Sequence, residues 1–273
     1  RLARVPGVVA AVSGLGFVFI ASGLKAQLVR GVVTVLYRLA LGKRNLRVIF
    51  QNPDDRQVLL MMGAVTADKS VLIRGSGVNL SEYVVVTEPE GVPTVVMAAR
   101  ILRDKGVGEF VEAARFLHER GVAVHFSLVG APDSGNPTSV TQAELEAWRE
   151  EGHVEVLGFR RDIAEIFAAS NVVVLPSYYG EGLPKVLVEA AACGRAVVTT
   201  DTPGCRDAVE PNITGLLVPM RNARALADAI QRLIEDTSLR HRMGKAGREL
   251  AEREFAIEKV VEKHLELYRS LEC

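Results

Sequence analysis

The chain is short of cysteine, of aromatic residues and of net charge, and each shortage removes a class of function. Its thiols are Cys193, Cys205 and Cys273. Three unpatterned cysteines build neither a disulfide framework nor a metal cage, and they fit a reducing, cytosolic compartment. Basic residues number 33 against 33 acidic ones, and aromatics make up 5%. That balance gives no pull toward nucleic acid, so no nucleic-acid partner is expected. No Gly-x-Gly-x-x-Gly follows a strand-like run, which disfavours a non-sugar dinucleotide enzyme. No Asp-x-Asp pair sits at a strand end, so no catalytic metal is expected.

Acid is missing altogether from residues 1–50, where Arg1, Arg4, Lys25, Arg30, Arg38, Lys43, Arg44 and Arg47 leave a charge of +8. Val5 to Leu24 is uncharged and long enough to span a bilayer, but Pro6, Gly7, Gly14, Gly16 and Gly23 interrupt it. A buried strand followed by a loop is the better reading. The start at Arg1 reads as a truncation. A basic, apolar segment 1–50 points to peripheral contact with a membrane, at its cytoplasmic face.

With 48% hydrophobic residues, 273 residues suffice for one large or two smaller packed domains. From Thr94 onward, strand-like runs alternate with helical patterns, as in parallel βαβ units. The expected strands are 94–99, 125–129, 154–157, 172–175, 196–200 and 215–218. The expected helices are 108–120, 142–150, 163–169 and 184–192. Upstream, strands are expected at 8–12, 46–50 and 70–73, and helices at 26–41 and 54–62. Three helices follow the last strand, two of them with apolar stripes at 223–234 and 256–271. The fold class is therefore α/β, with a doubly wound parallel sheet. Charged, Pro- and Gly-bearing Val84 to Val92 reads as a linker. It separates a partial α/β domain, 1–84, from a second domain, 85–255, with a final helical segment, 256–273, expected to pack back toward the first.

The most informative stretch is Pro176-Ser-Tyr-Tyr-Gly-Glu-Gly-Leu-Pro-Lys-Val-Leu-Val-Glu-Ala-Ala-Ala-Cys-Gly194. A strand ends at Leu175, Glu181 follows between glycines, and Pro184 suits the first position of a helix. The free amides at that helix start, with its dipole, favour a phosphate. Glu181 and Glu189 offer two acceptor-only carboxylates flanking the anion site. A ligand with hydroxyl groups at both ends of a diphosphate would suit them. Arg100, at the end of the first strand of the second domain, and Lys105, at the next helix entry, supply two cations against about two negative charges.

The Glu181-x7-Glu189 spacing, with Gly182 and Pro184 inside it, resembles the signature of family four glycosyltransferases. Ala99-Arg-Ile-Leu-Arg-Asp-Lys-Gly106 resembles that family's diphosphate clamp. Val129-Gly130, Gly158-Phe-Arg160, Thr200-Asp-Thr-Pro-Gly204 and Gly215-Leu-Leu-Val-Pro219 follow in the family's order. Upstream, Ser13-Gly-Leu-Gly16, Gln51-Asn-Pro-Asp-Asp55 and Ile73-Arg-Gly-Ser-Gly-Val-Asn79 look like segments of bacterial members that build polyprenyl-linked or surface glycans. The active-site histidine common in the family's N-terminal domain has no counterpart before Tyr83.

The resemblance implies a GT-B fold with a C-terminal Rossmann domain. It implies retaining transfer of a sugar from a nucleotide diphosphate, UDP-linked, to a glycan or polyprenyl-linked acceptor, with no separate cofactor. Glu181, Arg100 and Lys105 would then act in catalysis. Glu189, Gly182, Leu183, Pro184, Gly130, Phe159, Arg160, Thr202 and Pro203 would hold the nucleotide sugar. A fragment that binds nucleotide without transfer, and an epimerase of the same fold, are the alternatives.

Overall fold

The computed structural model describes residues 7–16 and 23–271. Arg1, Arg4, Cys273 and residues 17–22 of the uncharged run lie outside the described residues.

The first sheet contains β1 (Val8–Val12), β2 (Leu46–Phe50) and β3 (Ser70–Leu72), all parallel and in that order. Val8 lies opposite Leu46, and Val48 opposite Ser70. Two crossover helices join them, α1 (Leu24–Leu41) and α2 (Pro53–Met61). Helix α2 starts one residue before the expected 54: the Asn52 side chain accepts from the Asp55 amide at 2.7 Å, and Pro53 takes the first helical position. The uncharged run thus begins as strand β1, and no described helix is long and apolar enough to cross a membrane.

The second sheet has six parallel strands: β4 (Thr94–Ala98), β5 (His125–Val129), β6 (Glu155–Gly158), β7 (Val172–Leu175), β8 (Ala196–Thr200) and β9 (Gly215–Val218). Their order is β6-β5-β4-β7-β8-β9. Helices α3 (Val107–Glu119), α4 (Gln142–Glu151), α5 (Ile163–Ala168), α6 (Lys185–Ala192) and α7 (Ala223–Glu235) connect or flank them. All four residues of β7 and all five of β8 are buried, which is why β7 reads as an unbroken apolar run. The main core gathers Val95 to Met97, Phe110, Leu128, Val172 to Leu175 and Ile230.

Two further helices close the chain, α8 (Thr237–Leu250) and α9 (Ile257–Arg269). Helix α9 lies against the first sheet, where Val260 and Leu267 cluster with Ile49 and Ile73. Val78 accepts from the Ile257 amide at 3.0 Å and donates to the Phe255 carbonyl at 2.8 Å, so two crossings of the chain are stitched side by side. Residues 84–93 between the sheets form neither helix nor strand.

Several element ends differ from expectation by a residue or two, and one of these differences touches the Glu181 loop. Pro184 is not the first helical residue but the N-cap, with ψ of 117°, and the helix begins at Lys185. A proline φ near −65° suits both positions. The ψ of the neighbouring loop decides between them.

Candidate functional site

The order of the second sheet reverses between β4 and β7, so the loops leaving their carboxyl ends diverge and open a crevice. Arg100 and Lys105 lie beyond β4, and the Pro176–Pro184 loop lies beyond β7. Beyond β5, Gly130 closes onto the β4 loop with φ of +142°, and a Cβ there would collide with the Ala99 carbonyl. Only glycine fits that approach.

In the β7 loop the Glu181 carboxylate forms a close ion pair with Lys105 Nζ and accepts from Ser177 Oγ at 3.0 Å. The two paired side chains keep only 14% and 12% of their surface exposed. Lys105 ends a short 3-10 turn and is followed by Gly106 in the left-handed region, so the turn presents it beneath the loop. Its ammonium also lies 5.4 Å from the Tyr179 ring centroid.

The β8 loop braces this arrangement. The hydroxyls of Thr200 and Thr202 both donate to the Ser177 carbonyl, and they lie 3.1 Å apart. Beyond Pro203, a Cβ on Gly204 would fall 2.6 Å from the Gly182 carbonyl, so the Thr202–Gly204 turn touches the Glu181 loop. Thr202 is buried and Pro203 is half-buried.

Glu189 projects from the second turn of α6 and is 7% exposed. Its Oε1 accepts from the Tyr83 hydroxyl at 2.8 Å and faces Lys185 Nζ at 3.2 Å. With Arg100, Gly130, Asp133, Phe159, Arg160 and Val186 it lines an open cleft of about 510 Å³. Arg100 points its guanidinium at Asp133, 3.1 Å away, and Arg160 pairs with Asp162. Phe159 stands 70% exposed at the cleft. An exposed aromatic face beside two guanidinium groups suits a flat, anionic ligand.

The structure therefore sorts the expected residues into two adjoining groups. Arg100, Gly130, Phe159, Arg160 and Glu189 share the cleft, whereas Glu181, Lys105, Gly182, Leu183, Thr202 and Pro203 form the loop cluster on the other side of the α6 start. Arg100 and Lys105 do not meet over one carboxylate. A larger cavity, about 750 Å³, lies at the opposite, amino ends of the strands beneath residues 84–93. There Glu88 is already satisfied by Arg240 at 2.8 Å and Asn171 at 3.0 Å, and the groups are engaged with one another.

The first sheet reaches the same loop through segments that the sequence matched only by resemblance, with no contact to the Glu181 loop expected of them. Leu183 donates its amide to Gln51 Oε1 at 3.1 Å. Asn52 Nδ2 donates to the carbonyls of Glu181 at 3.1 Å and Gly182 at 2.9 Å, and to Asp55 Oδ2 at 2.9 Å. A Cβ on Gly182 would collide with Gln51 and with the Ser13 carbonyl. The Ser13–Gly16 turn, Gln51 and Asn52 thus clamp the backbone between Gly180 and Leu183. Burial pushes Asp55 up to about 6, with nearby Asp54 and Asp207 adding to the rise. Asp207, which accepts from the Gly204 amide at 2.9 Å, is also raised by burial. Tyr83 and Ser177 are the other functional contacts missed: their partners are set by tertiary packing, and no spacing signals them.

Residues 83–250 match the family model described as glycosyl transferases group 1. A Campylobacter jejuni N,N'-diacetylbacillosaminyl-diphospho-undecaprenol alpha-1,3-N-acetylgalactosaminyltransferase is 35% identical over 90% of this chain and 66% of its own length. A D-inositol 3-phosphate glycosyltransferase of Kribbella flavida is 36% identical over 53% of this chain and 34% of its own. The chain thus spans less than two thirds of the length of these curated relatives. Among solved structures, a sucrose-phosphate synthase from Thermosynechococcus elongatus aligns with a TM-score of 0.80 and 29% identity, covering 96% of this chain and 67% of that one. Anabaena Alr3699/HepE, solved with UDP and glucose, aligns with a TM-score of 0.78 over 98% of this chain and 73% of its own; at 22% identity this likeness speaks for the fold alone.

Proposed function

Because the chain belongs to the glycosyl transferases group 1 family, we propose that it takes part in retaining transfer of a sugar from UDP to a polyprenyl-linked glycan. The observation that carries this reading is the crevice at the strand-order reversal, with half-buried Glu181 before the α6 start and buried Glu189 in its second turn, each paired with a lysine. The Campylobacter relative's acceptor, a diphospho-undecaprenol, supports the choice of acceptor class.

On this reading the donor's base lies against Phe159 and Arg160, near Gly130, and its ribose hydroxyls meet Glu189. The diphosphate runs past the amides after Pro184 toward Arg100 and Lys105, with Thr202 and Pro203 at its edge. Glu181 accepts from hydroxyls of the donor sugar. Transfer requires charge to build on the departing diphosphate while the acceptor hydroxyl approaches from the same face. Arg100, Lys105 and the α6 amides stabilise that charge, so no metal is needed. The Glu181–Lys105 pair holds both groups in place before donor arrives, which lowers the reorganisation required at the chemical step.

Helix α1 gives the membrane contact a surface. Its inward stripe includes Thr34, Tyr37 and Leu41, whereas Leu28, Val29, Val32, Val35, Leu36 and Leu39 are exposed on the outward side. An apolar stripe in a stretch with no acidic residue complements an anionic bilayer. That contact would bring the crevice to a membrane-held acceptor.

The test is a transfer assay with UDP-N-acetylhexosamine and a polyprenyl-diphosphate-linked saccharide in vesicles, followed by NMR of the new linkage. The α-donor should give an α-linked product. A β-linked product defeats the retaining assignment; donor binding without transfer to any such acceptor leaves a nucleotide-binding unit and defeats the transfer reading. Free sugar isomerised at one carbon, with no acceptor required, would identify an epimerase instead.

A further inference from the structure

Tyr83 stands 106 residues from Glu189 in sequence, yet its hydroxyl reaches that carboxylate inside the protein. Both residues are 7% exposed. The Tyr83 ring belongs to the main core, and its position is fixed from three directions. Its amide donates to the Asn79 carbonyl at 3.1 Å. Its carbonyl accepts from Arg248 Nη1 at 2.8 Å, and the same nitrogen donates to the Ala192 carbonyl at 2.7 Å, at the end of the helix that carries Glu189. Five residues upstream, Val78 is bonded to Phe255 and Ile257, where the chain crosses between the two sheets. Tyr83 is thus anchored to both the crossover and α6.

The two contacts on Glu189, from Tyr83 and from Lys185, fall on the same oxygen, Oε1. Lys185 is 62% exposed at its side chain, so it contributes a weak, screened attraction. The phenol is the buried, directional donor. Burial, then the hydrogen bond to Glu189, raises the Tyr83 pKa, so the phenol keeps its proton and donates at every working pH.

We propose that Tyr83 is a positioning residue for the nucleotide: by holding Oε1 of Glu189 it aims the other oxygen at the ribose hydroxyls of the donor. The proposal rests on reading Glu189 as the ribose acceptor. Its consequence is that affinity for the ribose is coupled to the geometry of the inter-sheet crossover, which a carboxylate held by its own helix alone would not show.

The experiment is a ligand and mutation cycle by calorimetry: UDP and 2′,3′-dideoxyuridine diphosphate, each titrated into the unaltered chain and into Tyr83→Phe, which keeps the ring. The unaltered chain should bind UDP more tightly. Tyr83→Phe should weaken UDP about tenfold, the scale of a hydrogen bond to a charged group, and change the dideoxy ligand less than about twofold. Glu189→Gln should erase the same discrimination with Tyr83 intact, so the result does not depend on one variant. Equal weakening of both ligands in Tyr83→Phe, or none, overturns the positioning role while leaving Glu189 in place. Indifference of the unaltered chain to the ribose hydroxyls overturns the Glu189 assignment, and the proposal with it.

Discussion

Replacing Lys105 by methionine removes the ammonium and keeps most of the stem, and it leaves the Glu181 carboxylate 12% exposed with Ser177 as its remaining named partner. Removing one member of a fully buried pair costs about 3–5 kcal/mol. Here both partners keep some access to water, so screening lowers the expected cost to about 2–3 kcal/mol. For a chain of this size that corresponds to a melting temperature lowered by roughly 5–10 °C. Adding Glu181→Gln removes the stranded charge, and the double variant should recover most of the loss, a coupling of about 2 kcal/mol. Thermal and urea denaturation of the four proteins measure that coupling. Turnover provides the second half of the test. If Lys105 also stabilises the departing diphosphate, Lys105→Met assayed well below its melting temperature is roughly 10²–10³-fold slow, beyond any loss seen in Glu181→Gln alone. Additive losses of stability would refute the buried-pair argument. Undiminished turnover of Lys105→Met at temperatures where it is folded would show that Lys105 serves the fold alone.

Three other outcomes follow from the same geometry. Asn52→Ala removes the α2 cap and strands the Gly182 carbonyl and the Asp55 carboxylate, so it should destabilise by about 3 kcal/mol in urea unfolding; a change under about 0.5 kcal/mol would mean the clamp is not made. Asp55 is raised from 3.8 to about 6, so the folded chain holds this proton more tightly than the unfolded one; its favourable contribution is complete below pH 3.8 and fades as pH rises through 6, by about 3 kcal/mol in all. Asp55→Asn should remove that slope from the pH dependence of unfolding, and an unchanged slope assigns it elsewhere. On α1, changing Leu28, Val32 and Leu36 together to Glu should abolish flotation with anionic vesicles and leave the melting temperature within a few degrees, since all three are more than half exposed; unaltered flotation removes α1 from the membrane contact.

Most of the fold could be read locally. The run of valines in β7 announces a sheet covered on both faces. Boundaries slipped where neighbours decide them. Strand β6 runs one residue later than its valine and leucine suggest, beside a register shift between Leu128 and Val129. Pro184 caps α6 instead of opening it, because its ψ is set in a loop clamped by Gln51 and Asn52 from another sheet. The site was legible as residue types at strand ends, since loops at those ends point into one crevice. Its wiring was not: Arg100 turns to Asp133, Lys105 to Glu181, and Tyr83 to Glu189, and the partners lie 33, 76 and 106 residues apart.

The central claim is that the crevice is a metal-independent cradle for a nucleoside diphosphate. Thermal denaturation with UDP, GDP and ADP, each with magnesium and with a chelator, addresses it most directly, with Arg100→Ala and Glu189→Ala in parallel. UDP at about a hundred times its dissociation constant should add about 2.7 kcal/mol to stability, equally in chelator, and distinctly less in either variant. No stabilisation by any of the three diphosphates, or the same stabilisation in both variants, would contradict the account.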